Sequence, residues 1–291
     1  MSEMLSPIFI VGNPRSGTTL LRLMLTNHRN IIIPPECGFA VWFYEKYHSL
    51  HFDETAIAAF VGDLSTARKI ETWNLDFDEL EKYILASKAV SYSQVVSSVY
   101  QFYGQSVGKI FHRWGDKNNF YLNHIPTISA MYPSAKFIHI VRDGRDVACS
   151  YQALHKAQIE SKYAPNLPVN IREIAQEWVR NVQAILNSFK QLPFEQVFEL
   201  RYEDLVSNTE QELRRLCDFL GEPYDPGMEL YYAKNQQNRQ EPVEFLQWKA
   251  KTVEKPTDSE VGKYKRDLTP AEIDEFERVA GHVLKRYKYS I

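Results

Sequence analysis

The sequence predicts an α/β fold in which a mostly parallel central sheet is covered by helices on both faces. Short apolar runs of strand length alternate with stretches of helical periodicity along the 291 residues. The first of these runs leads through a glycine-rich loop into a helix. The glycine loop follows the first run, Glu36 stands at the end of the second and Arg142 follows the fourth, and ligands of such sheets bind at the carboxyl ends of the strands. We therefore expect a binding site along that edge of the sheet.

Five apolar runs are predicted to form the strands. Each is short and rich in β-branched or aromatic residues, which is typical of strands buried between two helical layers. Prolines stop the second run, and the third includes a loop at its end. The runs occupy residues 7–11, 30–36, 109–117, 136–141 and 196–202.

The helices are predicted from periodicity and capping signals. Thr269, with Pro270 in the first turn and Glu272 three residues after the cap, forms a capping-box pattern. The polar stretch 253–267 before it is predicted to be a loop. We expect one domain over 1–291, with a largely helical insertion at about 38–105. The other predicted helices cover 18–28, 123–133, the residues after Arg142, 172–189 and 203–221.

Composition and charge restrict the class of protein. The balance of 34 basic against 37 acidic residues provides no basic field, so we expect no nucleic-acid partner. Three scattered cysteines indicate reduced thiols, and the histidines lack the spacing of a metal site. No apolar stretch has the length of a membrane span, and the first residues lack a signal-peptide pattern. The sequence thus predicts a cytoplasmic protein without a metal or a transmembrane segment.

The loop "VGNPRSGTTL" has the spacing of a phosphate-binding loop but lacks its lysine. Gly12 and Gly17 match the glycines of G-x-x-x-x-G-K-[ST], and Thr19 matches the final hydroxyl residue, whereas Thr18 replaces the lysine. Arg15 supplies a charged fork that suits a phosphate. The missing lysine favours a ligand without a γ-phosphate to transfer. The alternative interpretation is an ordinary strand-to-helix turn.

A second candidate anion site lies in "VRDGRDVACSY", residues 141–151. Arg142 stands at the end of a predicted strand, and Ser150 follows about two turns into the next helix. An arginine and a hydroxyl placed in this way can hold a second phosphate. The alternative is a helix capped by Asp143, with surface ion pairs that involve Arg145 and Asp146.

The two motifs together resemble the paired signatures of sulfotransferases that use 3′-phosphoadenosine 5′-phosphosulfate (PAPS). The resemblance is to the branch of protein-tyrosine and bacterial carbohydrate, lipid and small-molecule sulfotransferases. It covers residues 7–36, 109–151 and 196–220. It implies a P-loop-like three-layer sandwich, PAPS as donor, the bisphosphate PAP as product, and no metal. It also implies an acceptor hydroxyl on a small molecule, carbohydrate or lipid, which the sequence does not identify further.

The same resemblance assigns donor-binding residues. The first loop would hold the 5′-phosphosulfate, and the Arg142–Ser150 pair the 3′-phosphate. Tyr202 would lie near the adenine, although a packed strand-end aromatic is the alternative. Lys263 would belong to the loop that closes on the donor, where Tyr264 replaces a tryptophan common in the cytosolic branch. In the first loop the implied contacts are Arg15, Ser16, Gly17, Thr18 and Thr19.

Catalytic roles are implied for three residues. Glu36, in "IPPECGF", resembles the general base, and Lys117, in "GDKNNF", resembles a lysine that stabilises the leaving phosphate oxygen. Arg15 would contact the sulfonate that is transferred directly, in line. His124 and His155 are reserve candidates for the base, since histidine is the commonest one. The alternative functions are a P-loop nucleotide kinase and a non-catalytic nucleotide-binding protein.

Overall fold

The computed structural model describes residues 4–238 and 240–291, and its core is a five-stranded parallel sheet. The strand order is β2-β3-β1-β4-β5, so the first strand lies in the centre. This arrangement, with helices on both faces, confirms the predicted α/β class. The strands are β1 (Ile8–Val11), β2 (Ile31–Ile32), β3 (Arg113–Lys117), β4 (Lys136–Val141) and β5 (Val197–Arg201).

Four strands are shorter than predicted, and β2 and β3 differ most from their predicted runs. β2 covers only two residues of the run 30–36, because Pro34 and Pro35 cannot donate to a ladder. β3 begins at Arg113, although its run begins at residue 109. The register aligns the strand ends, since Ile10 of β1 lies opposite Lys117 and Val11 opposite His139. The residues that follow the strands therefore meet along one edge.

Fifteen α-helices connect or flank the strands in the described part of the chain. None of them is both long enough and apolar enough to cross a membrane. They are α1 (Thr18–Thr26), α2 (Phe39–Trp42), α3 (Tyr44–Tyr47), α4 (Glu54–Ser65), α5 (Phe77–Ser87), α6 (Tyr92–Ser106), α7 (Ile125–Met131), α8 (Gly144–Ala157), α9 (Ile171–Phe189), α10 (Tyr202–Ser207), α11 (Thr209–Leu220), α12 (Tyr231–Asn238), α13 (Val243–Lys249), α14 (Tyr264–Asp267) and α15 (Pro270–Arg286).

Capping explains where several helices begin and end. The predicted capping box of α15 is confirmed, since the Thr269 hydroxyl accepts from the Glu272 amide and the Glu272 carboxylate from the Thr269 amide. The predicted helix 203–221 is wrong in one respect, because Asn208 leaves the helical region and divides it into α10 and α11. Asparagine competes with the helical backbone and favours such ends. The predicted loop 253–267 also contains α14.

The central strand separates two hydrophobic cores. Phe9 and Val11 pack with the helices between β2 and β3, whereas Ile8 and Ile10 face α1 and α11. This alternation follows from the two-residue period of a strand. The helices α2–α6, within the region predicted as an insertion, thus cover one face of the sheet beside the end of β2.

Candidate active site

The loop after β1 is shaped by close contacts at both of its glycines. A Cβ atom on Gly12 would lie 2.6 Å from the carbonyl oxygen of Ile140, and one on Gly17 would lie 2.6 Å from the ring of Tyr202. Gly17 also has a φ of 94°, which favours glycine. As the N-cap of α1 it provides no side-chain hydrogen bond. The first amides of α1 are therefore available to an anion.

Two buried polar atoms near the loop have no hydrogen-bond partner among the described residues. They are Ser16 Oγ, in a side chain without solvent exposure, and Arg142 Nε. Buried polar atoms are almost always paired in folded proteins. These two atoms therefore indicate a place where a polar ligand would complete the hydrogen bonding.

Arg15 joins the loop to the second motif. Its Nε donates to Ser150 Oγ at 3.0 Å, and its Nη1 donates to the carbonyl oxygen of Trp248 at 2.8 Å. Burial, together with the nearby charge of Arg142, lowers the pKa of Arg15 to about 10. The guanidinium therefore stays charged at neutral pH. Its backbone has a φ of 68°, an uncommon conformation for a residue with a side chain.

The second motif contains the helix cap of the alternative interpretation, but its ion pair is buried and does not lie on the surface. Asp143 caps α8 by accepting from the Arg145 amide, and the two side chains pair at 2.7 Å. Arg142 takes no part in that pair. Its guanidinium lies 4.4 Å from the centroid of the Tyr202 ring, and its Nη2 donates to the carbonyl oxygen of Glu260 at 2.8 Å.

The segment 260–264 lies beside Arg142. Lys263 pairs with the Glu260 carboxylate at 2.8 Å, and Asp146 accepts from the amides of Gly262 and Tyr264. Lys263 is thus held near the second motif, and its role in a closing loop stays a prediction. Its ammonium group is engaged by Glu260 and not by either phosphate motif.

The two threonines of the first loop differ in their surroundings. Thr18 is buried, and its hydroxyl donates to Asn119 Oδ1 at 3.1 Å. Thr19 is partly exposed in the first turn of α1. Asn119 follows β3, and no motif in the sequence pointed to it. The contact links the loop to the segment after Lys117.

Glu36 and Lys117 meet at the carboxyl edge of the sheet. Lys117 ends β3, Glu36 follows β2, and the two strands are neighbours. Glu36 Oε2 lies 3.3 Å from Lys117 Nζ, 3.2 Å from Lys69 Nζ and 3.8 Å from Lys249 Nζ. Sequence reasoning expected Lys117 in this site but missed the other two lysines.

Electrostatics keep Glu36 ionised. Burial alone would raise its pKa, but Lys117, Lys69 and Lys249 outweigh burial and lower the pKa well below its usual range. Burial lowers the pKa of Lys117 to about 8, although Glu36 acts in the opposite direction. At neutral pH the site therefore holds a carboxylate surrounded by ammonium groups.

The two lysines that were missed are held by distant parts of the chain. Lys69 lies in the helical region between β2 and β3 and has a φ of 75°. Lys249 ends α13 and pairs at 2.5 Å with Glu241, which in turn pairs at 2.5 Å with Arg22 of α1. The side chains of Glu241 and Arg22 are both 1% exposed and form a buried ion pair with each other. No local motif surrounds either lysine, so pattern reasoning had no signal for them.

A second buried carboxyl supports the turn that carries Glu36. Asp116 accepts hydrogen bonds from the hydroxyls of Tyr100 and Tyr121, and burial raises its pKa to about 6. The hydroxyl oxygen of Tyr121 also lies 3.5 Å from the carbonyl oxygen of Cys37, the residue after Glu36. The Tyr121 hydroxyl thus lies between the Asp116 carboxyl of β3 and the turn at Glu36.

The two reserve histidines have different surroundings. His155 is exposed in the last turn of α8, and the His124 ring packs against Phe120 with ring centroids 4.3 Å apart. Neither forms one of the ion pairs of Glu36. In residues 4–238 and 240–291, no group of three or more His, Cys, Asp or Glu could hold a metal ion.

Comparison with known sequences gives one family. The model of the sulfotransferase family matches residues 7–226. Protein-tyrosine sulfotransferase A of Caenorhabditis elegans is 25% identical over 220 residues, which are 75% of this chain and 50% of that protein. Omega-hydroxy-beta-dihydromenaquinone-9 sulfotransferase Stf3 of Mycobacterium tuberculosis is 33% identical over 123 residues, 40% of this chain and 32% of that protein. The chain spans half or less of the length of these two relatives.

Solved structures show the same fold. The sulfotransferase domain from the curacin biosynthetic pathway has a TM-score of 0.63 and 26% identity, and both chains are covered fully. The sulfotransferase domain of the Synechococcus PCC 7002 olefin synthase has a TM-score of 0.67 and 20% identity, with 100% and 97% coverage. Mouse sulfotransferase SULT7A1 complexed with PAP has a TM-score of 0.52 and 15% identity, with 98% and 90% coverage. The predicted P-loop-like fold is confirmed.

Proposed function

Because the chain belongs to the sulfotransferase family, we propose that it transfers a sulfuryl group from PAPS to an acceptor hydroxyl, with Glu36 as the general base. The observation that carries the proposal is the contact of Glu36 with Lys117 at 3.3 Å, beside a phosphate-binding loop that lacks its lysine. A base and a cation at the carboxyl edge of adjacent strands are the groups that such a transfer needs.

The residues of the site fit PAPS, which supplies a sulfuryl group on its 5′-phosphate and a second phosphate at the 3′ position. The amides and hydroxyls of residues 16–19 would bind the 5′-phosphosulfate, and the unpartnered Ser16 Oγ supports this role. Arg142, with its unpartnered Nε, and Ser150 would bind the 3′-phosphate. Tyr202, which packs between Gly17 and Arg142, would border the adenosine.

Glu36 would accept the proton of the acceptor hydroxyl while the hydroxyl oxygen bonds to sulfur. The bond from sulfur to the 5′-phosphate oxygen breaks in the same step, and the leaving oxygen keeps the electron pair. Lys117 and Arg15 would stabilise the charge on the leaving phosphate and on the sulfonate. Lys69 and Lys249 would keep Glu36 deprotonated until the acceptor arrives. Positioning and fixed charge would supply most of the catalysis.

The alternative functions make different demands on the site. A nucleotide kinase would use the loop lysine on the β- and γ-phosphates, and Thr18 occupies that position. A non-catalytic nucleotide-binding protein would not need Glu36 beside Lys117. We further propose that the acceptor is a small molecule, a carbohydrate or a lipid.

A thermal-shift comparison tests the donor class. PAP should raise the unfolding temperature far more than ATP with Mg²⁺, because Arg142 and Ser150 would engage a 3′-phosphate that ATP lacks. A ligand at 100 times its Kd adds roughly 2.7 kcal/mol to the free energy of unfolding, which such a measurement resolves readily. Greater stabilisation by ATP with Mg²⁺ would contradict the proposed function.

A further inference from the structure

One tryptophan lies outside the hydrophobic cores. Trp42, at the end of α2, is 40% exposed, whereas the other four tryptophans are at most 8% exposed. Phe120 is 43% exposed, and its ring centroid lies 6.5 Å from that of Trp42. The His124 ring packs on the Phe120 ring, and the two ring centroids lie 4.3 Å apart. We call Trp42, Phe120 and His124 the aromatic platform.

The chain makes room for the indole of Trp42. A Cβ atom on Gly38 would lie 2.5 Å from that ring, so no other residue fits at position 38 without moving it. Gly38 has a φ of −91°, which any residue adopts. The glycine is therefore required by the contact and not by the backbone. The indole packs against the chain two residues after Glu36.

Hydrogen bonds fix the other side of the platform. The amide of Phe120 donates to Asn118 Oδ1 at 3.0 Å, and Asn119 Oδ1 accepts from the Thr18 hydroxyl. Phe120 follows Lys117 by three residues. The exposed rings thus come from the segments that follow Glu36 and Lys117 in the chain, and the Trp42 indole lies against Gly38, two residues after Glu36.

We propose that the aromatic platform is the acceptor subsite and binds acceptors whose hydroxyl is carried by an aromatic ring, that is, phenols. This inference rests on the proposed function. The donor would occupy the first loop and the second motif, so the acceptor reaches Glu36 from the side that the platform borders. Offset or edge-to-face packing on Trp42 and Phe120 would hold a flat ring there.

The polar groups at the platform favour a phenol over a sugar. A sugar needs several hydrogen-bond partners at once, but the carbonyl oxygens of Asn118 and Asn119 are already engaged within the protein. A phenol needs one partner, and Glu36 supplies it. In the transfer the phenol oxygen bonds to sulfur, the bond from sulfur to the 5′-phosphate breaks, and Glu36 takes the phenolic proton. The products are an aryl sulfate and PAP.

Equilibrium binding of 4-nitrophenol in the presence of saturating PAP tests the proposal. Trp42→Ala and Phe120→Ala should each weaken binding by roughly 3- to 30-fold, because each removes one stacking partner and the area it covers. Trp42→Phe should retain most of the affinity. Phe194→Ala is the matched control, since Phe194 is 89% exposed and lies before β5, at the opposite end of the strands. It should bind 4-nitrophenol as the wild type does.

Two further measurements separate the ways in which the proposal can fail. Cyclohexanol, a saturated ring of similar size, should bind more weakly and respond less to Trp42→Ala. An equal response would overturn the aromatic class of acceptor. Wild-type affinity for 4-nitrophenol in both alanine variants, with PAP still bound, would overturn the subsite but leave the proposed function intact. Failure of the wild type to bind PAP would overturn both.

Discussion

The two sides of the candidate site are assembled from the chain in different ways. The donor side, which comprises residues 12–19 with Arg142 and Ser150, comes from two short continuous motifs. The base side, which comprises Glu36, Lys69, Lys117 and Lys249, takes one residue from each of four distant segments. The difference indicates that a candidate anion-binding motif can be recognised from neighbouring residues, whereas an ionised buried carboxylate needs partners that only the complete fold brings together.

The base side should produce the largest effect on turnover. Glu36→Gln should lower kcat by about 10²- to 10⁴-fold, because it removes the proton acceptor and leaves the donor side intact. Steady-state kinetics measures the loss, and PAP affinity on the same variant is the control. Normal turnover would show that Glu36 is not the base. Loss of PAP binding would show that the two sides are not separable.

Substitutions on the donor side should weaken the binding of the nucleotide. Arg142→Ala should weaken the binding of PAP by about 10- to 150-fold, because a hydrogen bond to a charged group contributes roughly 1.5–3 kcal/mol to the binding free energy. Adenosine 5′-phosphate, which lacks the 3′-phosphate, should lose little affinity for the same variant. Isothermal titration of both nucleotides provides the comparison. Equal losses for the two nucleotides would remove Arg142 from the 3′-phosphate site.

Lys69 allows a test of the distributed cluster by pH. Lys69→Met should raise the pKa of Glu36, since it removes one of the ammonium groups that lower it. Activity requires the carboxylate, so the acid limb of kcat/KM should move to higher pH. Lys69→Arg should restore the wild-type limb. An unchanged acid limb in Lys69→Met would show that Lys69 does not act on the base.

We expect the titration of Lys117 to limit the activity at alkaline pH. Its pKa is lowered to about 8 by burial, and the proposed mechanism needs its positive charge. Activity should therefore fall as the pH rises through about 8. In Lys117→Arg, which stays charged, the alkaline limb should disappear even if the maximal rate is lower. If the activity of this variant still falls near pH 8, the fall is caused by the titration of a group other than Lys117.

A substitution outside both sides gives the smallest effect and the baseline for the others. Thr269→Ala removes the N-cap of α15 and should lower the free energy of unfolding by about 1 kcal/mol. The kcat should not change, because α15 contributes no residue to the site. Denaturant unfolding and steady-state kinetics on one preparation check both statements. A large loss of kcat would mean that general stability contributes to the effects at Glu36 and Arg142.

The same contrast explains what the sequence could predict. The alternation of strands and helices, the glycine loop and the capping box at Thr269 depend on neighbouring residues, so local patterns identify them. The meeting of Glu36 with Lys117 follows from parallel topology, since Glu36 follows β2 and Lys117 ends the adjacent β3. Lys69 and Lys249 reach Glu36 through helix packing and the buried pair of Glu241 with Arg22. No periodicity or spacing records contacts of that kind.

The backbone carbonyl oxygens of Trp248 and Glu260 affect how far the sequence at these two positions can vary during evolution. They accept hydrogen bonds from Arg15 and Arg142, and a carbonyl oxygen is present whatever the side chain. Substitutions at these two positions therefore leave both acceptor atoms in place. Both lie beyond residues 7–226, which the sulfotransferase family model matches. Contacts that the two arginines make through backbone oxygens do not depend on the residue type at the accepting position, so methods that compare residue types do not detect them.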